Sequence, residues 1–103
     1  MKRIYLDNAA TTPVDERVLK EMLPYFCEKF GNPSAVYTEA HEAKFAIEAA
    51  RLQVAKAINA DPKDVYFTSG GSESDNWALK GVAFKNRAKG NHIITTAIEH
   101  HAI

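Results

Sequence analysis

A chain of 103 residues, 46% apolar, 10% aromatic and 25% charged, has the make-up of one soluble globular domain and carries no signature of disorder. Thirteen basic residues against thirteen acidic ones leave no net charge, and neither sign forms a block, which excludes the electrostatic footprint of a nucleic-acid or anionic-membrane binder. No stretch approaches the ~20 apolar residues of a membrane span, MKRIYLDNAATT is not a signal peptide, and the single Cys27 excludes a disulfide framework or a CxxC motif, so a cytoplasmic protein with a small-molecule or protein partner is expected.

Ile4 to Leu6 reads as a short strand, followed by the polar, small-residue loop Asp7-Asn8-Ala9-Ala10-Thr11-Thr12-Pro13. Asp15 is placed to cap a helix whose Val18, Leu19 and Met22 recur at helical spacing, and Pro24 interrupts that pattern or opens a second short helix. Gly31-Asn32-Pro33-Ser34 is a stop. The strongest helix runs from Thr38 to Asn59, with Ala43, Ala46, Ile47, Ala50, Val54, Ala57 and Ile58 on one stripe and charged residues opposite.

Asp61-Pro62 predicts a turn, Val65-Tyr66-Phe67 a buried strand, Ser72 to Arg87 a helix, Lys89-Gly90-Asn91 a turn, and His92 to Thr96 a second strand. Strand, helix and strand within about thirty residues predict a right-handed βαβ unit with a parallel pair. The fold class expected is therefore α/β.

The turn TSGGSESDN, residues 68–76, then lies beyond the carboxyl end of a strand, where open parallel sheets bind ligands. Two glycines permit close approach, the following helix offers unsatisfied N–H groups, and Thr68, Ser69, Ser72 and Ser74 offer hydroxyls, an arrangement suited to a phosphate. No Walker A or GxGxxG pattern is present. Ser72-x-x-Asp75 equally fits a capping box, and the two readings are compatible.

Glu99-His100-His101 ends the last strand and falls near the same loop if the strands are parallel; adjacent side chains diverge, so one histidine at most faces a site. No metal-ligand spacing is present. His41 and His92 read as structural or solvated, and Cys27, among Tyr25, Phe26 and Phe30, reads as a buried inert thiol.

YLDNAATTP, GNPS at 31–34, FTSGGSESDN at 67–76 and HIITTAIEHHAI at the end resemble the N-terminal portion of the NifS/IscS cysteine desulfurases, class-V aminotransferases of fold type I that use pyridoxal 5′-phosphate (PLP). GNPS resembles the NifS/IscS branch rather than the SufS branch. The resemblance implies that 1–103 is the N-terminal part of a class-V aminotransferase-like domain. Within it, 1–14 would be an N-terminal active-site segment, 15–59 a helical part and 63–103 the start of the PLP-binding large domain.

It further implies that Gly71 and Ser72 receive the cofactor phosphate. His100 would stack on the pyridine ring and act catalytically in proton transfer, and Ala9 and Ala10 would leave room for substrate. The chain departs from the family in having Gly71-Ser72 for an alanine-threonine pair and Tyr37 where a histidine is common. The family's cofactor-attaching lysine, its pyridine-pairing aspartate, its carboxylate-binding arginine and its persulfide-forming cysteine have no counterpart here; Lys44, Lys80 and Cys27 are not in those motifs.

The implied activity is conversion of L-cysteine to L-alanine, with sulfur passed to an enzyme cysteine for Fe–S cluster or other cofactor assembly. The family is dimeric and serves a scaffold or other sulfur acceptor, and the 103-residue chain alone is expected to be inactive. Selenocysteine lyase, a related PLP enzyme, and a non-catalytic interaction module are the other readings.

Overall fold

The computed structural model describes residues 3–103, which form helices joined by irregular segments. The elements are α1 (Glu16–Met22), α2 (Pro24–Cys27), α3 (Thr38–Ala57), a 3₁₀ turn at Pro62–Asp64 and α4 (Gly71–Lys85). The chain divides into two compact units, one ending at Pro62 and one spanning Lys63–Ile103.

In the first unit the start of α1 follows directly from Asp15. Its Oδ1 accepts the Arg17 amide at 2.8 Å, satisfying a donor that the helix leaves open. The Arg17 side chain returns to the same carboxylate, Nη2 to Oδ2 at 2.8 Å, and this side-chain hydrogen bond, followed by that of the Arg17 amide, holds Asp15 below the ordinary carboxylate range. Pro24 then opens α2 as its first residue, where a missing N–H costs nothing.

The GNPS stop folds through Asn32, whose Oδ1 accepts the Ser34 amide at 3.0 Å, an Asx turn. Gly31 is required by a close approach. A Cβ added there would overlap the Glu39 carbonyl and lie 3.0 Å from the Ala40 nitrogen, both backbone atoms of the first turn of α3.

Helix α3 ends as a Schellman motif. Asn59 takes the left-handed conformation, φ 54°, the Ala60 amide donates to the Ala55 carbonyl at 2.9 Å, and the Asn59 amide leans toward the Lys56 carbonyl at 3.4 Å. Ala40, Ala43 and Ala55 are the buried residues of the helix. Ala46, Ile47 and Ala50 are half-buried, but Val54, Ala57 and Ile58 are exposed, so the expected stripe holds through its first half and then shifts toward Arg51 and Ala55.

In the second unit the expected βαβ arrangement is not formed among the described residues. Ile4 to Leu6, Val65 to Phe67 and His92 to Thr96 are irregular, and no strand occurs among the described residues. Only Val65 of the expected buried strand is buried; Tyr66 is 64% and Phe67 50% exposed, and Ile94 is 88% exposed. The physical reason is that a strand is defined by its ladder: two three-to-five-residue segments have too few hydrogen bonds and too little covered face to hold a sheet by themselves.

The same shortage appears as surface. The chain exposes 9865 Å², whereas two separate globular bodies sharing its 11.4 kDa would expose roughly 7,000 Å². The buried apolar residues are Ala40, Ala43, Ala55 and Val65, while Leu6, Phe30, Phe45, Phe84, Ile94 and Ile98 stand in solvent. The helices are thus specified locally, by caps and turns, and not by a common core.

Candidate functional site

Helix α4 begins at Gly71, with Gly70 as the residue before it, and Gly70 has no side chain with which to cap. The capping box expected from Ser72 and Asp75 does not form, because the helix starts too early for Ser72 to occupy the capping position: it is already the second helical residue. Glu73 does half of that work instead. Its Oε2 accepts the Ser69 amide at 2.6 Å and the Ser69 hydroxyl at 2.7 Å, which fastens the loop to the first helical turn. The backbone amide of Ser69 is the larger cause, and its hydroxyl the second, of a Glu73 carboxyl held below its ordinary range.

The Thr68 and Ser74 hydroxyls are 2.6 Å apart, one donating to the other, and both lie within reach of the Gly70 carbonyl, at 3.2 and 3.3 Å, which accepts the remaining proton. Three of the four hydroxyls expected to serve a ligand are therefore engaged within the turn. The Ser72 hydroxyl is the exception, and the Gly71, Ser72 and Glu73 amides donate to no group among the described residues. Above Gly70 and Gly71 the space is open, with nothing within 4 Å of an added Cβ at either. Three backbone donors, one hydroxyl and the positive end of a helix dipole are donor chemistry of the kind that suits an anion.

Its spatial neighbour is the turn at residues 100–102. Asn76, half-buried on the second turn of α4, donates Nδ2 to the Ser72 carbonyl at 2.9 Å and to the Ala102 carbonyl at 3.4 Å. The Ala102 amide in turn donates to His100 Nδ1 at 3.1 Å. Ser72 and His100 are in this way brought to one end of the unit. The histidines do not diverge as a strand would make them: in this turn the His100 and His101 rings lie 4.0 Å apart, tilted by 33°.

Asn76 escaped the reading of the sequence. Asparagine disfavours helix interiors because it competes for backbone groups, and its position four residues after Ser72 was the available signal.

Elsewhere, Cys27 is exposed rather than buried, since α2 is a single turn with no element covering that side of it. His41 and His92 are exposed. Among the described residues no three His, Cys, Asp or Glu side chains converge on a metal-sized point, and no helix is long and apolar enough to cross a membrane.

The family model described as Aminotransferase class-V matches residues 4–103. The chain belongs to that family. As a class-V aminotransferase family member it is 58% identical over 102 residues to the cysteine desulfurase IscS of Clostridium botulinum (strain Kyoto / Type A2), a match covering 99% of this chain and 26% of that protein. Among solved structures, a NifS-like protein superposes with a TM-score of 0.90 at 46% identity, covering 98% of this chain and 28% of its own. SspA in complex with cysteine gives 0.85 at 46% identity, over 95% and 28%. The fold is that of the NifS-like proteins, and the chain spans about a quarter of the length of the curated relatives it matches.

Proposed function

We propose that this chain provides the phosphate cradle and the histidine of a PLP-dependent cysteine desulfurase that converts L-cysteine to L-alanine and passes the sulfur to an enzyme cysteine. The observation that carries the reading is the start of α4, whose Gly71, Ser72 and Glu73 amides have no partner among the described residues and whose Gly70 and Gly71 have open space where a side chain would stand. The donor set fits a phosphate monoester, and the identity to proteins named cysteine desulfurase supports PLP as its bearer.

Gly71 and Ser72 would hold the phosphate through backbone N–H groups and the Ser72 hydroxyl. Because the loop has no lysine, that grip is made of dipoles rather than of a point charge. Glu73 does not compete for the position, its carboxylate being held by Ser69. His100 would present its ring to the cofactor and handle the substrate proton at Nε2, the nitrogen not engaged by Ala102. When bound, PLP supplies the electron sink that loosens the bonds around the substrate α-carbon.

Ala9 and Ala10 would border the substrate, and the cofactor-holding lysine, the carboxylate-binding arginine and the sulfur-carrying cysteine would come from polypeptide beyond these 103 residues. That same polypeptide would supply the ladder partners that turn residues 65–67 and 92–96 into parallel strands flanking α4, and would cover the exposed apolar side chains. A cytoplasmic homodimer delivering sulfur to an Fe–S scaffold or other acceptor completes the proposal.

The test is made on the protein from its native source. Its intact mass is expected to be several times 11.4 kDa, and it should release sulfide from cysteine. Ser72→Ala should weaken PLP binding about tenfold, the loss of a hydrogen bond to a charged group. His100→Gln should lower kcat by about 10² or more with PLP still bound. A native mass of 11.4 kDa with no PLP binding would overturn the reading.

A further inference from the structure

We propose that Asn76 is a positioning residue: its amide clamps the turn at residues 100–102 to the start of α4 and thereby keeps the His100 ring in the Nε2–H tautomer. Both of its partners, the Ser72 and Ala102 carbonyls, accept only, so the amide must present nitrogen and not oxygen to them, and its two hydrogens match the two acceptors. The clamp joins residues twenty-six apart in sequence. With Ala102 held, its own N–H stays aimed at His100 Nδ1 at 3.1 Å. A nitrogen that accepts a backbone N–H carries no proton, so the proton of the neutral ring sits on Nε2 and that atom alone is left to exchange it.

The consequence is geometric as well as chemical. Ser72, which belongs to the proposed cradle, and His100 are tied through one side chain, so the distance between the cradle and the ring is set by Asn76 rather than by the intervening loop. Aspartate, of nearly the same shape, would face two carbonyl oxygens with no hydrogen to give. What the ring faces rests on the proposed function; the clamp and the tautomer do not, and they are read without cofactor.

The experiment is ¹⁵N-imidazole NMR of the protein as it occurs in its native source, histidine-labelled and freed of any cofactor, at a pH where the rings are neutral, with amide exchange measured on the same samples, for wild type, Asn76→Ala and Asn76→Asp. In the wild type His100 should show the Nε2–H pattern. Both variants should lose that bias and exchange the Ala102 amide about three- to tenfold faster, as for one lost neutral hydrogen bond, while amides of Val82–Lys85 keep their protection. A wild-type His100 protonated on Nδ1 would overturn the proposal without any variant. So would variants whose His100 pattern and Ala102 exchange are unchanged, or variants in which protection falls along the whole of α4, which would assign Asn76 to helix stability alone. A supported clamp in a chain whose native form binds no PLP would leave the tautomer intact and remove only the cofactor assignment.

Discussion

Replacing Gly31 with alanine is the sharpest test of how the first unit is held. The added methyl would lie 3.0 Å from the Ala40 nitrogen and closer still to the Glu39 carbonyl, where ordinary contacts begin near 3.4 Å, so the loop and the first turn of α3 must separate by about 1 Å. Neither neighbour can move alone. Ala40 is fully buried, and its amide and that of His41 are committed to the Tyr37 carbonyl at 3.1 and 3.2 Å. Overpacking of this kind costs about 1–3 kcal/mol, which at roughly 1.4 kcal/mol per decade corresponds to about a five- to 150-fold fall in the population with the loop docked. Amide hydrogen exchange at Ala40 and His41 measures that population directly, with the α4 amides as internal reference. Exchange at Ala40 and His41 that is indistinguishable from wild type would refute the claim that the close approach, and not flexibility, is why glycine stands at residue 31.

Asn59→Ala should shorten α3 at its C-terminal end, because alanine pays about 1 kcal/mol or more for the left-handed angle that asparagine tolerates, whereas Asn59→Gly should leave it intact; far-UV circular dichroism of the two variants separates the outcomes, and equal loss in both would count against the Schellman end. Acid should loosen the start of α4. Glu73 is held below its ordinary value of 4.5, so its bonds to Ser69 contribute fully above that pH and are lost as pH falls through the lower folded value. The Ser69 amide resonance should therefore shift below about pH 4.5, and Glu73→Gln should largely abolish the dependence; a wild-type amide that titrates at the ordinary value would contradict it.

The elements legible in the sequence were those decided within a few residues of chain. Asp15 caps α1 as read, Pro24 takes the second of its two readings and opens α2, the stop at GNPS folds as an Asx turn, and the long alanine-rich helix forms and ends at Ala57; each rests on local hydrogen bonds or fixed dihedral angles. The unpartnered amides at the start of α4 were legible for the same reason: a helix that opens on glycine, with no capping side chain before it, leaves orphan N–H groups wherever it is placed.

What the sequence could not settle depends on partners distant along the chain. The apolar triplet Val65-Tyr66-Phe67 has a strand's composition, but a strand needs a ladder and two covered faces, and the described residues supply neither. Cys27 sits among aromatic residues, yet is exposed because adjacency in sequence is not burial. Only the tertiary structure showed which hydroxyls of the turn are already occupied, leaving Ser72, and that Asn76 reaches across twenty-six residues to the histidine turn. Sequence by itself determined the family and the local elements, since motif identity and caps are written in neighbouring residues; the assembly of Ser72, Asn76 and His100 at one end was decided in space, by contacts that no local pattern encodes.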